Sequence, residues 1–288
     1  MRTTLRRSLV AGTAIAALAL SACGSASPTT NAAPGSESTI PTKVSGKLTI
    51  GTDLTYPPYD TLENGKPAGF DVEFMDAVAA KMGVATNYVD TRFAQIIAGI
   101  KADRYDAIAS TLYVSAPRAK EVDFVPYFQT GNSIISRADG TEYVSPGDLC
   151  GKSVGVVTAT VIVGIMTKEE SDRCKAEGKG AITVKEFPTD PEATQALLSN
   201  QVDAQMTDGA VAKVAVEKTK GRLKLTSTSL IYPIAVGIGV KKGDAPMHGA
   251  ITDAIKSMQE DGSYDELLAK YNLEPVDPAV LKASMERK

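Results

Sequence analysis

The sequence has one histidine, His248, and three cysteines among its 288 residues, and no two cysteines form a CxxC pair. A structural zinc site usually needs four histidine or cysteine ligands. Ligands that are this few and this far apart argue against a zinc site of the nitrogen and sulfur type. We therefore expect a protein that works without a metal or another cofactor.

The sequence also lacks a surplus of positive charge. Residues 1–22 hold three arginines and no acid, so the rest of the chain has 28 basic against 34 acidic residues, a net charge of −6. A nucleic-acid-binding protein needs a basic face to neutralise phosphates. This balance argues against a nucleic-acid partner and leaves the identity of a small ligand open.

No apolar run beyond residue 22 reads as a membrane span, and the run near the N-terminus is short. Three arginines precede the apolar run 9–20, which is too short to cross a bilayer as a mature helix. Leu-Ser-Ala-Cys at 20–23 resembles a bacterial lipobox, in which Cys23 receives a lipid. We expect a lipoprotein signal peptide over 1–22; an ordinary secretory signal is the alternative.

Residues 23–45 are rich in Ser, Thr, Ala, Pro and Gly and almost free of large apolar side chains. Such a segment cannot bury enough surface to offset the entropy lost on ordering. It is predicted to be a flexible tether. The folded part is then expected outside the cytoplasm, lipid-anchored to the outer face of the cell membrane.

Cys150 and Cys174 remain as one pair in a chain that reads as exported. Exported proteins form disulfides readily, so this pair predicts a bridge across a surface excursion. Two buried free thiols are the alternative.

The first part of the folded region alternates strand and helix patterns. Strand patterns lie near 47–52, 86–89 and 105–109, with helices from Asp71, read as an N-cap, and from Phe93. This β-α-β-α-β order predicts a parallel sheet with right-handed crossovers.

The alternation then repeats. Strand patterns at 153–157, 181–187 and 202–206 are separated by helices, one of which is predicted to be capped at Asp190-Pro191. The third strand of each part ends in the same way, because Tyr-Asp-Ala before Ser110-Thr111 matches Val-Asp-Ala before Thr207-Asp208.

Two long strand-like runs would connect the repeats, one forward near 126–135 and one back near 234–240. Two crossings make a hinge, and a cleft between lobes is a common ligand site. We predict an α/β fold of two lobes, each a mainly parallel sheet flanked by helices. The predicted limits are 46–131 with 236–274 for the first lobe, 132–235 for the second, and 275–288 for a C-terminal tail.

The stretch 110–118 supplies the first candidate for a ligand site. Ser110, Thr111 and Arg118 follow an apolar strand, and ligands of open α/β sheets bind at the carboxyl ends of strands. An arginine fork suits a carboxylate because two parallel charge-assisted bonds fix its distance and orientation. The alternative from residue type alone is a solvated arginine at a helix start.

The chain contains four motifs between residues 47 and 273: Gly51-Thr52-Asp53-x-x-Tyr56-Pro57-Pro58-Tyr59, Gly69-Phe70-Asp71-Val72-Glu73, Tyr105-Asp106-Ala107, and Pro117-Arg118-Ala119-Lys120-Glu121-Val122-Asp123-Phe124. In their residues, order and spacing they closely resemble the polar-amino-acid class of bacterial solute-binding proteins, the extracytoplasmic receptors of ABC importers. The resemblance implies two lobes of the periplasmic-binding-protein type II fold, closing over a small ligand. It also implies an ABC permease with its ATPase as partners; we expect a monomer.

The resemblance also implies roles for single residues. Arg118 stands where the family holds the α-carboxylate of the ligand, with Ser110 and Thr111 beside it. Asp208 matches an acid of the second lobe that pairs with the ligand ammonium, so that only the closed form makes both ion pairs.

Four further positions carry over from the resemblance. Thr160 falls on a second-lobe loop that reaches the carboxylate, but this chain has Ala-Thr-Val where the family usually has Gly-Thr-Thr or Gly-Ser. Asp53 and Phe93, together with Tyr56, fall where the first lobe meets the ligand side chain.

Tyr113 is the main departure, because most amino-acid receptors of this class have Ser or Thr there. With Tyr56 and Phe93 it would bring three rings to one point, an arrangement that suits a shielded cation. This resembles binders of ectoine-type compatible solutes, which stay an alternative to an amino acid. A packing role for Tyr113 is also open. An enzyme on the same fold, similar to some dehydratases, is the alternative of another class, and we expect no catalysis.

Overall fold

Residues 42–287 are described by the computed structural model. The predicted signal peptide, the lipidation at Cys23 and most of the predicted tether lie outside these residues. The first part of the chain alternates strands and helices as the sequence predicts. Its elements are β1 Lys47–Thr52, β2 Thr61–Glu63, β3 Lys66–Ala68, α1 Phe70–Lys81, β4 Ala85–Asp90, α2 Phe93–Lys101, β5 Ala107–Ile108 and α3 Ala116–Ala119.

The second part begins with the long strand β6, Val122–Arg137, and repeats the alternation. Its elements up to the return strand are a 3-10 turn Pro146–Leu149, β7 Ser153–Val157, α4 Val161–Gly164, a π-helical segment Ile165–Glu170, α5 Ser171–Ala176, β8 Thr183–Phe187, α6 Asp190–Leu198, β9 Ala204–Asp208, α7 Gly209–Lys218 and β10 Leu223–Leu225. The chain then continues through β11 Ile231–Lys241, α8 Ala245–Asp261, α9 Ser263–Lys270 and α10 Pro278–Glu286.

The strand order of the main sheet is β4-β1-β5-β11-β6-β9-β7-β8, with β10 on β6. β1 is parallel to β4 and β5, and β7 is parallel to β8 and β9. β6 pairs through residues 122–132 with β11 and through 132–135 with β9. The two long strands therefore connect two parallel strand groups, one of β1, β4 and β5 and the other of β7, β8 and β9. This arrangement confirms the predicted α/β class, while the exact limits of the two lobes stay a prediction.

Two helix starts differ from their predictions. α1 begins at Phe70 after Gly69, whose φ of 110° and close approach to the carbonyl of Tyr59 leave no room for a Cβ. Asp71 is therefore a buried residue of the first turn and not the cap. α6 is capped by Thr189, whose hydroxyl accepts from the backbone N–H of Glu192, so Asp190 is its first residue.

Aromatic side chains from the loop after β1, the start of α1 and the strand β6 pack against one another. Phe70 stacks on Tyr127 with ring centroids 5.9 Å apart, and Tyr59 stacks on Phe128 at 5.5 Å. All four rings are fully buried. Buried rings of this size contribute more to the core than smaller side chains, and they hold the loop after β1 in place.

The predicted disulfide is confirmed, since the sulfurs of Cys150 and Cys174 are 2.02 Å apart. It ties the 3-10 turn to α5. Within residues 42–287 no helix is both long and apolar enough to span a bilayer.

Candidate ligand site between the parallel strand groups

A cavity opens where the carboxyl ends of β1 and β5 face those of β7 and β9. The predicted site residues of the first part that line it are Asp53, Tyr56, Phe93, Ser110, Thr111, Tyr113 and Arg118. Thr160 lines it from the second part. The structure therefore brings eight of the nine predicted ligand residues to one cavity, and Asp208 is not among those that line it.

Arg118 lies on α3 and is only 9% exposed. Its Nη1 donates to the carbonyl of Tyr113 at 2.8 Å and its Nη2 to the carbonyl of Ala159 at 3.0 Å. The guanidinium stands 5.2 Å from the centroid of the Phe93 ring. Burial lowers its pKa to about 10, which leaves it charged at neutral pH.

Among the described residues, Arg118 forms no salt bridge with a carboxylate. A buried charge without a counterion is costly, and an anion entering the cavity would relieve that cost. One face of the Phe93 ring is thereby already in contact with a cation of the protein, which weakens its predicted role as one wall of a cage around a cationic ligand.

Ser110 and Thr111 are held from behind by two buried acids. The Ser110 hydroxyl donates to Asp60 at 3.2 Å and accepts from the backbone N–H of Asp53. Thr111, in a left-handed conformation with φ of 45°, directs its N–H and its hydroxyl to Asp71 at 2.6 and 3.1 Å. The two hydroxyls and the Thr111 N–H are therefore already engaged by acids of the protein, and their predicted role beside a ligand carboxylate stays a prediction.

Asp60 and Asp71 were not singled out by sequence reasoning. Both are buried, and Asp71 also accepts from the Tyr127 hydroxyl at 2.5 Å. Burial raises the pKa of Asp71 to about 6, and burial beside Asp71 raises the pKa of Asp60. Carboxyl groups this close share protons more easily than they both ionise.

Asp208 lies behind the cavity wall with no exposed surface. Its carboxylate accepts from the hydroxyls of Tyr59, Tyr113 and Thr130 at 2.8, 2.9 and 2.7 Å. As the N-cap of α7 it also accepts from the Ala210 N–H at 2.9 Å. Four donors already surround this carboxylate, and it does not line the cavity, so its pairing with a ligand ammonium stays a prediction.

Asp190 lines the cavity instead and is 4% exposed. It accepts from the Thr207 hydroxyl at 2.6 Å and from the Gln205 amide at 3.0 Å. No lysine or arginine pairs with it among residues 42–287. Burial raises the pKa of Asp190 to about 6, and the charge of Asp208 contributes to the rise.

The ring of Tyr113 lines the cavity while its hydroxyl reaches Asp208. Tyr56 extends from the first part to the second, where its hydroxyl lies 3.3 Å from the Thr207 hydroxyl and accepts from the Asp208 N–H. Both rings therefore line the cavity, while their hydroxyls form hydrogen bonds with residues of the second part.

Thr160 occupies the N-cap position of α4, but its hydroxyl donates to the carbonyl of Val157 at 2.7 Å and accepts no N–H of the helix. Asn132 on β6 was missed by the sequence reasoning, although it lines the cavity and is 1% exposed. Its amide nitrogen has no hydrogen-bond partner among the described residues, which leaves a buried donor beside the ligand space.

Residues 48–274 match the model of the bacterial extracellular solute-binding proteins, family 3. The chain belongs to this family. It is 30% identical over 232 residues to the L-cystine-binding protein TcyJ of Escherichia coli K12, covering 80% of this chain and 84% of that protein.

Solved structures of the family share the fold. An ancestral arginine-binding protein bound to arginine superposes with a TM-score of 0.70 at 33% identity, covering 78% of this chain and 98% of that one. An ancestral amino acid-binding protein described as a precursor of cyclohexadienyl dehydratase gives a TM-score of 0.66 at 27% identity, covering 78% and 95%. The predicted periplasmic-binding-protein type II fold is thereby confirmed.

Proposed function

We propose that this family 3 protein is the extracytoplasmic binding component of an ABC importer and captures an amino acid between its two parallel strand groups. Arg118 receives the α-carboxylate and Asp190 receives the α-ammonium. The ligand is then delivered to a membrane permease driven by its ATPase.

One observation carries the proposal. A buried guanidinium and a buried carboxylate line the same cavity, and neither has a charged partner among residues 42–287. Each ion alone is costly to bury, and one zwitterion with its two charges next to each other would pair both. Asp190 takes the role that the resemblance implied for Asp208.

The cellular setting rests on the family and on the N-terminal sequence. Members of the family are extracellular solute-binding proteins, and TcyJ is named for L-cystine. The lipobox-like segment before Cys23 favours an anchor on the outer face of the cell membrane.

A thermal-shift panel of L-amino acids with L-cystine, ectoine and glycine betaine tests the proposal on the purified chain. Binding to the folded state raises the melting temperature by mass action, so at least one amino acid should raise it. A shift with ectoine or betaine and with no amino acid would contradict the proposal and favour a compatible-solute binder.

An enzyme is the second candidate, because one structural relative is described as the precursor of a dehydratase. The sole histidine does not line the cavity; its ring nitrogen contacts the Phe124 carbonyl instead. Mass spectrometry of a bound amino acid after long incubation should find it unchanged. Recovery of a converted product would establish catalysis.

A further inference from the structure

Three charged side chains line the cavity within the described part of the chain: Asp53, Arg118 and Asp190. The last two would be satisfied by the carboxylate and ammonium of any amino acid under the proposed function. Asp53 is therefore the charged group left to meet the ligand side chain.

Asp53 already has a cationic partner that does not itself line the cavity. Its Oδ1 lies 2.8 Å from Nη1 of Arg92 and accepts from the Thr55 hydroxyl at 2.7 Å. Its Oδ2 accepts from the backbone N–H of Phe93 at 2.7 Å. The side chain of Asp53 is 5% exposed and that of Arg92 is 36% exposed, so this pair sits at the cavity wall with its cation toward solvent.

Arg92 is itself held in position. Its Nη1 also lies 3.2 Å from the Thr55 hydroxyl, and its Nη2 pairs with Asp90. A guanidinium that bridges two carboxylates through its two Nη atoms is held in one geometry and loses little further entropy in keeping it.

Among the charged side chains that line the cavity, Arg92 offsets the charge of Asp53, which leaves Arg118 and Asp190 for the two charges of a zwitterion. The second carboxylate on Arg92, Asp90, has a side chain that is 47% exposed, so solvent screens its charge more than that of Asp53. A ligand with a cationic side chain would bring a second positive charge to Asp53 beside the guanidinium of Arg92. Two positive charges beside one carboxylate repel each other, and the repulsion is strongest where burial limits screening by solvent.

We propose that Arg92 is a specificity-determining residue that neutralises Asp53 and so directs the site toward amino acids with uncharged side chains and against those with cationic ones. This rests on the proposed function. The rest of the wall agrees with it, because Val157, Val161, Ile162 and Met206 offer apolar surface.

Isothermal titration with two ligand pairs of matched length tests the proposal: L-citrulline against L-arginine, and L-glutamine against L-ornithine. The wild-type chain should bind the neutral member of a pair at least about tenfold more tightly, since the cationic member meets a like charge. Arg92→Met keeps the aliphatic stem and removes the charge, and it should shift that ratio by about tenfold toward the cationic member.

Arg104→Met is the matched control, because it makes the same change in net charge at an exposed position of the first part. It should leave both ratios unchanged. If the wild type binds neither pair but binds another neutral amino acid, a gain of L-arginine binding in Arg92→Met supports the proposal and its absence overturns it.

Wild-type protein that binds L-arginine as tightly as L-citrulline would overturn the charge filter, and so would an unchanged ratio in Arg92→Met. Either result leaves amino-acid binding itself in place. Failure of every amino acid to bind would instead overturn the proposed function.

Discussion

Asp190 and Asp208 are both buried aspartates at the start of a helix, but their surroundings leave them with different capacities to accept a hydrogen bond from a ligand. Asp208 caps α7 and accepts from three hydroxyls as well, so its lone pairs are used by the protein. Asp190 sits one residue inside α6, because Thr189 caps that helix, and it faces the cavity. A carboxylate that faces a cavity can exchange its neutral donors for an ammonium; one enclosed by four donors cannot.

Replacing each acid by its amide separates these roles. Asp190→Asn should weaken amino-acid binding by about 100-fold, because it removes the charge that pairs with the ammonium. Asp208→Asn should mainly lower the free energy of unfolding, by about 1–3 kcal/mol, since it disturbs a buried network. Isothermal titration and urea unfolding measure the two effects; equal losses of affinity in both variants would contradict the assignment.

The pH dependence of binding follows from the pKa of Asp190, which burial raises to about 6. Below that pH the carboxyl is protonated and cannot pair with an ammonium, so affinity should fall by up to about tenfold per pH unit. The ligand-free stability should change in the opposite direction. Because the folded pKa lies above the unfolded one, the folded state binds the extra proton and is stabilised as pH falls from 7 toward 5.

Titrations at pH 7.5, 6.5 and 5.5, with thermal unfolding of the ligand-free protein, measure both trends. Asp190→Asn should reduce the stability change, and the part that remains comes from groups such as Asp71, whose pKa is also raised to about 6. Affinity that holds constant down to pH 5.5 would count against Asp190 as the ammonium partner.

Much of the site could be predicted from local sequence. Arg118 and the residues around it follow a recognisable strand end, and eight of the predicted positions do line the cavity. Asp190 could not be found in this way, because Asp before Pro at a helix start already has an ordinary explanation as a cap. Arg92 is important because it pairs with Asp53, and Asn132 because its buried amide nitrogen has no partner among the described residues. Both facts depend on contacts between distant segments, which a single sequence does not show.

The helix α10 is an element that the sequence did not predict, since 275–288 was expected to be a tail. It lies beyond the family match, which ends at residue 274. Ser284 is 1% exposed, and its hydroxyl accepts from the backbone N–H of Ala235 on β11 at 3.0 Å. The carbonyl of Arg287 accepts from the N–H of Ala116, at the start of the helix that carries Arg118. The C-terminal helix thus packs on a crossing strand and on the arginine helix.

Ser284→Ala should lower the free energy of unfolding by about 1–3 kcal/mol, because it leaves the buried N–H of Ala235 without a partner. Urea unfolding followed by circular dichroism measures this loss. Lys282→Ala, at an exposed position of the same helix, is the control and should change stability by less than about 0.5 kcal/mol. A Ser284 variant as stable as this control would show that α10 is only loosely attached.

The sequence predicted strands and long helices well because their apolar periods are determined by burial in the sheet. It predicted helix starts less well. α1 begins after Gly69, whose role depends on the close approach of the Tyr59 carbonyl. Tyr59 lies outside the helix, so the apolar pattern of the helix does not contain this contact. In α10 the buried residue is the polar Ser284, so an apolar pattern does not mark where the helix packs.

The molecule as described has the two parallel strand groups joined by direct bonds around the cavity. Arg118 bonds the carbonyl of Ala159, and the Tyr59 and Tyr113 hydroxyls both bond Asp208. The family resemblance led us to expect that closure depends on two ion pairs with the ligand. These bonds show that side chains of the protein itself also join the two strand groups.

In the proposed complex, one zwitterion pairs with Arg118 and Asp190 at once. Isothermal titration of the wild-type chain tests this claim with three ligands: the amino acid found in the thermal-shift panel, its α-carboxamide and its N-acetyl derivative. Each derivative lacks one charge and leaves one buried ion unpaired, so each should bind about 100-fold more weakly or worse than the parent. Binding of either derivative within threefold of the parent amino acid would contradict the claim.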